Sequence, residues 1–119
     1  METIGKRSEQ HAARWLRARG LRILARNFRA RCGEIDIVAI HDDCLVFVEV
    51  RSRSNPRFAG AAASIDRAKQ RRILRTAQLF LRANPGLAAM RCRFDVIAFE
   101  PPQSAAGPRP RWIRGAFTA

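Results

Sequence analysis

A chain of 119 residues, 47% hydrophobic and 28% charged, is long enough for one domain around a single core, too short for two, and too apolar to be disordered. Its 23 basic side chains against 10 acidic ones leave a formal charge of +13, which no fold requires and which suits a polyanionic partner, nucleic acid first. Three scattered cysteines with no Cys-x-x-Cys pair, only two histidines, no signal-peptide core and no apolar run near the ~18 residues of a membrane span argue against zinc, a disulfide framework and a membrane partner; a soluble cytoplasmic protein is expected.

From about Gly5 to Arg19 the apolar spacing is helical, and Gly20 is a natural stop because glycine takes the left-handed conformation past a helix end. Ala12, Ala13, Leu16 and Glu9 share one face, with Trp15 at its flank. Glu9 reads either as a half-solvated acid favouring the helix dipole or as a functional group beside the packing stripe. Leu21 to Phe28 alternates as a strand, with Arg22, Leu24, Arg26 and Phe28 expected on one face.

The densest signal is Gly33 to Arg53. Ile35–Ile40 and Leu45–Val50 are rich in Ile, Val and Phe, and His41-Asp42-Asp43-Cys44 supplies turn chemistry between them, so the stretch predicts a β-hairpin. With Asp42 and Asp43 at the turn, Ile40 faces Leu45, Val38 faces Phe47, Asp36 faces Glu49, and Glu34 faces Arg51 as an ordinary ion pair. The other face, Ile35, Ile37, Ala39, Val46, Val48 and Val50, is wholly apolar, which marks both strands as central. Asp36 and Glu49 are then opposed like charges with little water between them. They need a cation, a shared proton or an arginine from elsewhere.

After the hairpin, Arg51 to Ala63 reads as an irregular loop whose Arg51, Ser52, Arg53 and Arg57 are candidates to contact phosphate. Ser64 is expected to cap a second helix running to about Ala83, with Asp66 in its first turn and Asn84-Pro85-Gly86 ending it. Ile65, Ile73, Thr76, Ala77 and Phe80 form its core stripe. Lys69 lies on that stripe, either snorkelling to water or reaching the carboxylate end of the sheet. Arg67, Arg71, Arg72 and Arg75 are placed for solvent, and Arg71 and Arg72 join Arg53 and Arg57 as nucleic-acid contacts. Arg91 to Glu100 is a strand with Phe94, Val96 and Ala98 on one side and Asp95, Ile97 and Phe99 on the other, Asp95 being read as structural. Residues 101–110 predict a flexible loop, and 111–119 a tail docked through Trp112, Ile113 and Phe117, all within one domain spanning 1–119.

Two carboxylates on adjacent strands with a basic residue two positions after the second make a cradle for a hard divalent ion, Mg²⁺ or Mn²⁺, that activates water against a phosphodiester. Gly33-Glu-Ile-Asp-Ile-Val, Leu45-Val-Phe-Val-Glu-Val-Arg, the helix with Lys69, and Arg93-Phe-Asp-Val-Ile resemble the YraN-like family of small bacterial proteins, over most of the chain from Ser8-Glu-Gln-His-Ala to Trp112-Ile-Arg-Gly-Ala-Phe. That family is similar to the restriction-endonuclease-like superfamily, whose motif is an Asp followed by Glu-x-Lys, and in shape to Holliday junction resolvases. The resemblance implies an α/β three-layer fold with a mixed central sheet flanked by helices, and a metal-dependent nuclease acting on DNA, branched or structured DNA included. A catalytically silent nucleic-acid-binding module of the same fold is the alternative. It further implies Asp36, Glu49 and the Val50 carbonyl as metal ligands, Glu9 as the helix-borne acid, and Gln70 as a supporting polar group beside Lys69. Arg51 stands where the superfamily has lysine. Arginine keeps its proton at any working pH, so it can neutralise a phosphate but not act as base, which leaves that role to a carboxylate, a metal-activated water or Lys69. A junction-cutting role would favour a two-fold homodimer.

Overall fold

The central hairpin forms where the sequence places it. In the computed structural model, which describes residues 4–52, 65–99 and 110–118, β2 (Gly33–His41) and β3 (Cys44–Ser52) pair antiparallel with Ile40 opposite Leu45, Val38 opposite Phe47 and Ile37 opposite Val48. Asp42 turns the chain at φ 55°, a left-handed conformation that its short polar side chain tolerates. β1 (Arg22–Ala30) adds antiparallel to β2, β4 (Arg91–Phe99) adds parallel to β3, and β5 (Pro110–Phe117) adds antiparallel to β4. The result is a mixed five-stranded sheet in the order β1-β2-β3-β4-β5.

The helices cover opposite faces, which makes three layers. α1 (Ile4–Ala18) buries Ala12, Ala13 and Leu16 against Ile37, Ala39, Val46, Val48, Ile97 and Phe99. α2 (Arg67–Ala83) buries Ile73, Ala77 and Phe80 against Ile35, Val38, Leu45, Phe47, Phe94, Val96 and Ala98. Phe47 anchors the second layer, edge-on to Phe80 at 5.9 Å and stacked on Phe94 at 5.3 Å. α1 ends as expected: Gly20, at φ 92°, donates its N–H to the Arg17 carbonyl, and Leu21 donates to Leu16, so two orphan carbonyls are satisfied.

Four expectations need correction. The cap of α2 is Asp66, not Ser64: the Asp66 carboxylate accepts the Lys69 N–H at 2.8 Å, and this leaves Ile65 just ahead of the helix to sink into the core. Arg51 and Ser52 belong to β3 rather than to a loop, pairing with Ala98 and Phe99. Phe28 leaves the exposed face of Arg22, Leu24 and Arg26 and packs edge-on to Phe80 at 5.2 Å, because a bulge after Ile23 and a left-handed Asn27 (φ 56°) shift the phase of β1. Ile35 packs on the α2 side with Val38, while Ile37 packs on the α1 side, so alternation breaks in β2 as well. The tail docks as the last strand, with Trp112 edge-on to Trp15 at 5.8 Å and Phe117 stacked on Phe94 at 5.2 Å. The expected loop at 101–110 falls, but for Pro110, outside the described residues, as do Arg53, Arg57 and Ser64.

Candidate functional site

The two phase breaks meet at one place. Arg26 pairs with Ile37 and Phe28 with Ile35, so left-handed Asn27 lies across from Asp36, at the level where the β2–β3 ladder also stops. Beyond Ile37 and Val48 the pairing gives way to a side-chain contact: the Val50 N–H donates to Asp36 Oδ2 at 2.8 Å. A backbone donor that would otherwise join the ladder thus orients a carboxylate. Asp36 and Glu49 remain close enough to share a hydrogen bond, as the register predicts.

Three elements contribute acids here. Glu9 from α1 and Glu34 and Asp36 from β2 bring oxygens within 4.8 Å of one another. The Asn27 amide, oriented by its hydrogen bonds, donates its nitrogen to Glu9 Oε1 at 2.6 Å and to Glu34 Oε1 at 3.0 Å. On the other side of Asp36, Glu49 Oε1 lies 3.8 Å from Lys69 Nζ and 3.9 Å from Arg51 Nε. Lys69 therefore takes the second of its two expected roles and reaches the carboxylate end of the sheet. The anticipated Glu34–Arg51 pair is absent. The phase break carries Glu34 to Arg29, 3.6 Å away, and leaves Arg51 with Glu49. The buried Arg51 Nε makes no hydrogen bond.

Burial decides the protonation of this group. Glu49 is only 7% exposed. Desolvation, and then the charge of Asp36, push its carboxyl up to about 8, against the pull of Lys69 and Arg51. Burial likewise raises Asp36, with the Val50 N–H opposing, and raises Glu9, helped by Asp36 and Glu34. Asp36 and Glu49 are thus both raised, each chiefly by burial, and the close pair favours holding a proton between them. Of the compensations open to the opposed pair, two protein cations, Lys69 and Arg51, lie beside Glu49.

The structure thus gathers Asp36, Glu49, Arg51, Lys69 and Glu9 at one end of the sheet. Val50 is there too, through its N–H. Gln70 does not join them; its side chain donates to the Ile65 carbonyl at 3.2 Å. Arg71 and Arg72 are exposed on α2. Sequence reasoning missed Asn27 and the part played by Glu34. The only available signal was a polar residue tolerant of left-handed backbone inside an otherwise regular strand. Asp95 is structural, as read: it is fully buried and accepts bonds from Arg93, Trp112 Nε1 and the Gly115 N–H at 2.8–3.0 Å.

Hard oxygen donors brought together by burial, with cations at their edge, fit Mg²⁺ or Mn²⁺ better than zinc or copper. Fold and cluster together define a three-layer α/β domain with a mixed sheet and an acidic centre at the end of its middle strands. The chain belongs to the family described as Uncharacterised protein family UPF0102, whose sequence profile matches residues 8–99, in keeping with the resemblance read from the sequence. It is 47% identical to a UPF0102 protein of Pseudomonas entomophila, over 95% of this chain and 91% of that one. It is 52% identical to one of Bordetella avium, over 95% and 73%, and 49% identical to one of Methylococcus capsulatus, over 97% and 90%. No helix among the described residues is long and apolar enough to cross a membrane.

Proposed function

We propose that the protein is a Mg²⁺- or Mn²⁺-dependent nuclease that hydrolyses phosphodiester bonds in DNA, branched or otherwise structured DNA included. The observation that carries this reading is the meeting of the Glu9, Glu34 and Asp36 oxygens within 4.8 Å of one another, with Glu49 beside Asp36 and 3.8 Å from Lys69, in a chain of charge +13. Asp36 and Glu49 would hold the ion, with the Val50 carbonyl as a further oxygen donor. When bound, such an ion would supply Lewis acidity toward a phosphoryl oxygen and a water. The Val50 N–H keeps Asp36 turned toward its partners. Lys69 and Arg51, beside Glu49, would offset charge developing on the phosphate. Since arginine does not accept a proton, Glu9, whose affinity for one is raised by burial, is the residue suited to take it from the attacking water.

The same Arg51 favours a second reading, a binding module that keeps the fold and the basic surface but does not cleave. Labelled duplex, single-stranded and four-way-junction DNA incubated with the protein in Mg²⁺, Mn²⁺ or EDTA separates the two. Metal-dependent cleavage lost in Asp36→Ala and Glu49→Ala supports the nuclease. Salt-sensitive binding with no cleavage in either metal supports the module, and no binding at low salt removes both.

A further inference from the structure

The acidic centre does not account for the charge on the outer face of α2. Arg31 and Cys32, in the turn between β1 and β2, and Arg75, Gln78, Leu79 and Arg82 of α2 line a cavity of about 280 Å³. The turn is held against the helix: Cys32 Sγ lies 3.4 Å from Thr76 Oγ1, and Gly33 leaves only the space its missing side chain allows, since a Cβ there would sit 3.0 Å from that same oxygen. Three exposed arginines therefore line one groove whose lining contains no acid. Among the described residues none of the three has a carboxylate partner, whereas Arg29, Arg51, Arg91 and Arg93 all do. Arg82 also sits in the last turn of α2, where a cation favours the helix dipole, but that does not explain Arg31 or Arg75. Like charges gathered without counterions repel, and an anion is what relieves them.

The groove and the acidic centre draw on the same helix, at different faces of it. Lys69, beside Glu49, lies on the same helix, and six residues separate it from Arg75 and thirteen from Arg82, about 9 and 20 Å along the axis. Arg71, Arg75, Gln78 and Arg82 follow one stripe at helical spacing. A length of about 20 Å spans roughly six phosphates of one strand at 3.4 Å each. We infer that the groove formed by Arg31, Arg75 and Arg82 between the β1–β2 turn and α2 binds the phosphodiester backbone of nucleic acid at a distance from the acidic centre. This rests on the nucleic-acid partner proposed above but not on cleavage. Gln78 adds a neutral hydrogen-bonding group, and nothing in the lining reads bases, so the contact positions a strand without specifying its sequence.

The test is binding of short labelled DNA and RNA duplexes, followed by fluorescence anisotropy in EDTA across a salt series. Combined Arg31→Ala, Arg75→Ala and Arg82→Ala should lower the slope of log K against log salt by about 2.7, at roughly 0.9 per phosphate contact. The control variant, Arg14→Ala, Arg17→Ala and Arg22→Ala, removes the same charge from exposed positions of α1 and β1 and should lower it by less than 1. Lysine at the three groove positions should restore the slope, which excludes misfolding as the cause. Loss on DNA and RNA alike identifies the shared phosphate as the ligand, and loss on one alone identifies the polymer whose backbone the groove accepts. Equal effects of the groove and control variants, or an unchanged slope in the groove variant, overturn the inference. Binding without cleavage in Mn²⁺ overturns only the nuclease reading, and failure of the wild type to bind either polymer overturns both.

Discussion

Replacing Glu49 by glutamine should stabilise the metal-free protein at pH 9 and leave it nearly unchanged at pH 4. The folded carboxyl titrates at about 8 against an ordinary 4.5, so the folded chain holds this proton more tightly than the unfolded chain. Its contribution to stability is fully present below 4.5 and is lost as pH rises from 4.5 through 8. At about 1.4 kcal/mol per pH unit the whole loss is roughly 5 kcal/mol. Glutamine keeps a hydrogen-bonding partner for Asp36 and never ionises, but it deprives Lys69 and Arg51 of a counterion, so a net gain of roughly 1–3 kcal/mol is the expected outcome at pH 9. For a chain of this size that is on the order of 4 °C in melting temperature per kcal/mol. Thermal unfolding by circular dichroism at pH 4, 7 and 9 in EDTA measures it directly. A variant that melts below wild type at pH 9 by as much as at pH 4 would refute the reasoning, because ionised Glu49 would then be a stabilising partner of Lys69.

Asp95→Ala should cost about 3–5 kcal/mol in urea unfolding, since it leaves the largely buried Arg93 guanidinium without its carboxylate; a cost under 1 kcal/mol would mean that water replaces the carboxylate freely. Asn27→Ala should destabilise by roughly 1–2 kcal/mol through backbone strain at φ 56° and loss of the amide between Glu9 and Glu34. Asn27→Gly removes only the amide, and its residual loss should shrink as pH falls through the raised range of Glu9. Asp66→Ala should cost about 1 kcal/mol by uncapping α2, read from the same urea curves, and serine there should recover most of it.

What the sequence shows well is whatever depends on one dominant period. The β2–β3 register, the core stripe of α2, the two faces of β4 and the Gly20 stop all follow from apolar spacing or from a single permissive residue. The Asp36–Glu49 encounter comes from that register alone, before any family is considered. What it hides lies where two strands change phase together. Neither the bulge in β1 nor left-handed Asn27 has a local composition that announces it, and their effect on Ile35, Phe28 and Glu34 passes through tertiary packing. The sequence therefore pairs Glu34 with the wrong arginine and shows the Asp36–Glu49 encounter but not Glu34's place beside Glu9 and Asp36. The choice of Asp66 over Ser64 as cap is a near tie in propensity, settled by where Ile65 is buried.

The contacts of Asp95 bear on how β5 moves. A terminal edge strand ordinarily frays at little cost, and its amide protons exchange quickly. Here Trp112 and Gly115 both donate to a carboxylate with no exposure of its own, so peeling β5 away would break two hydrogen bonds to a charged group. The Gly115 amide should therefore exchange on the timescale of the central strands rather than of a chain end. The last strand of the sheet opens with the core, not ahead of it.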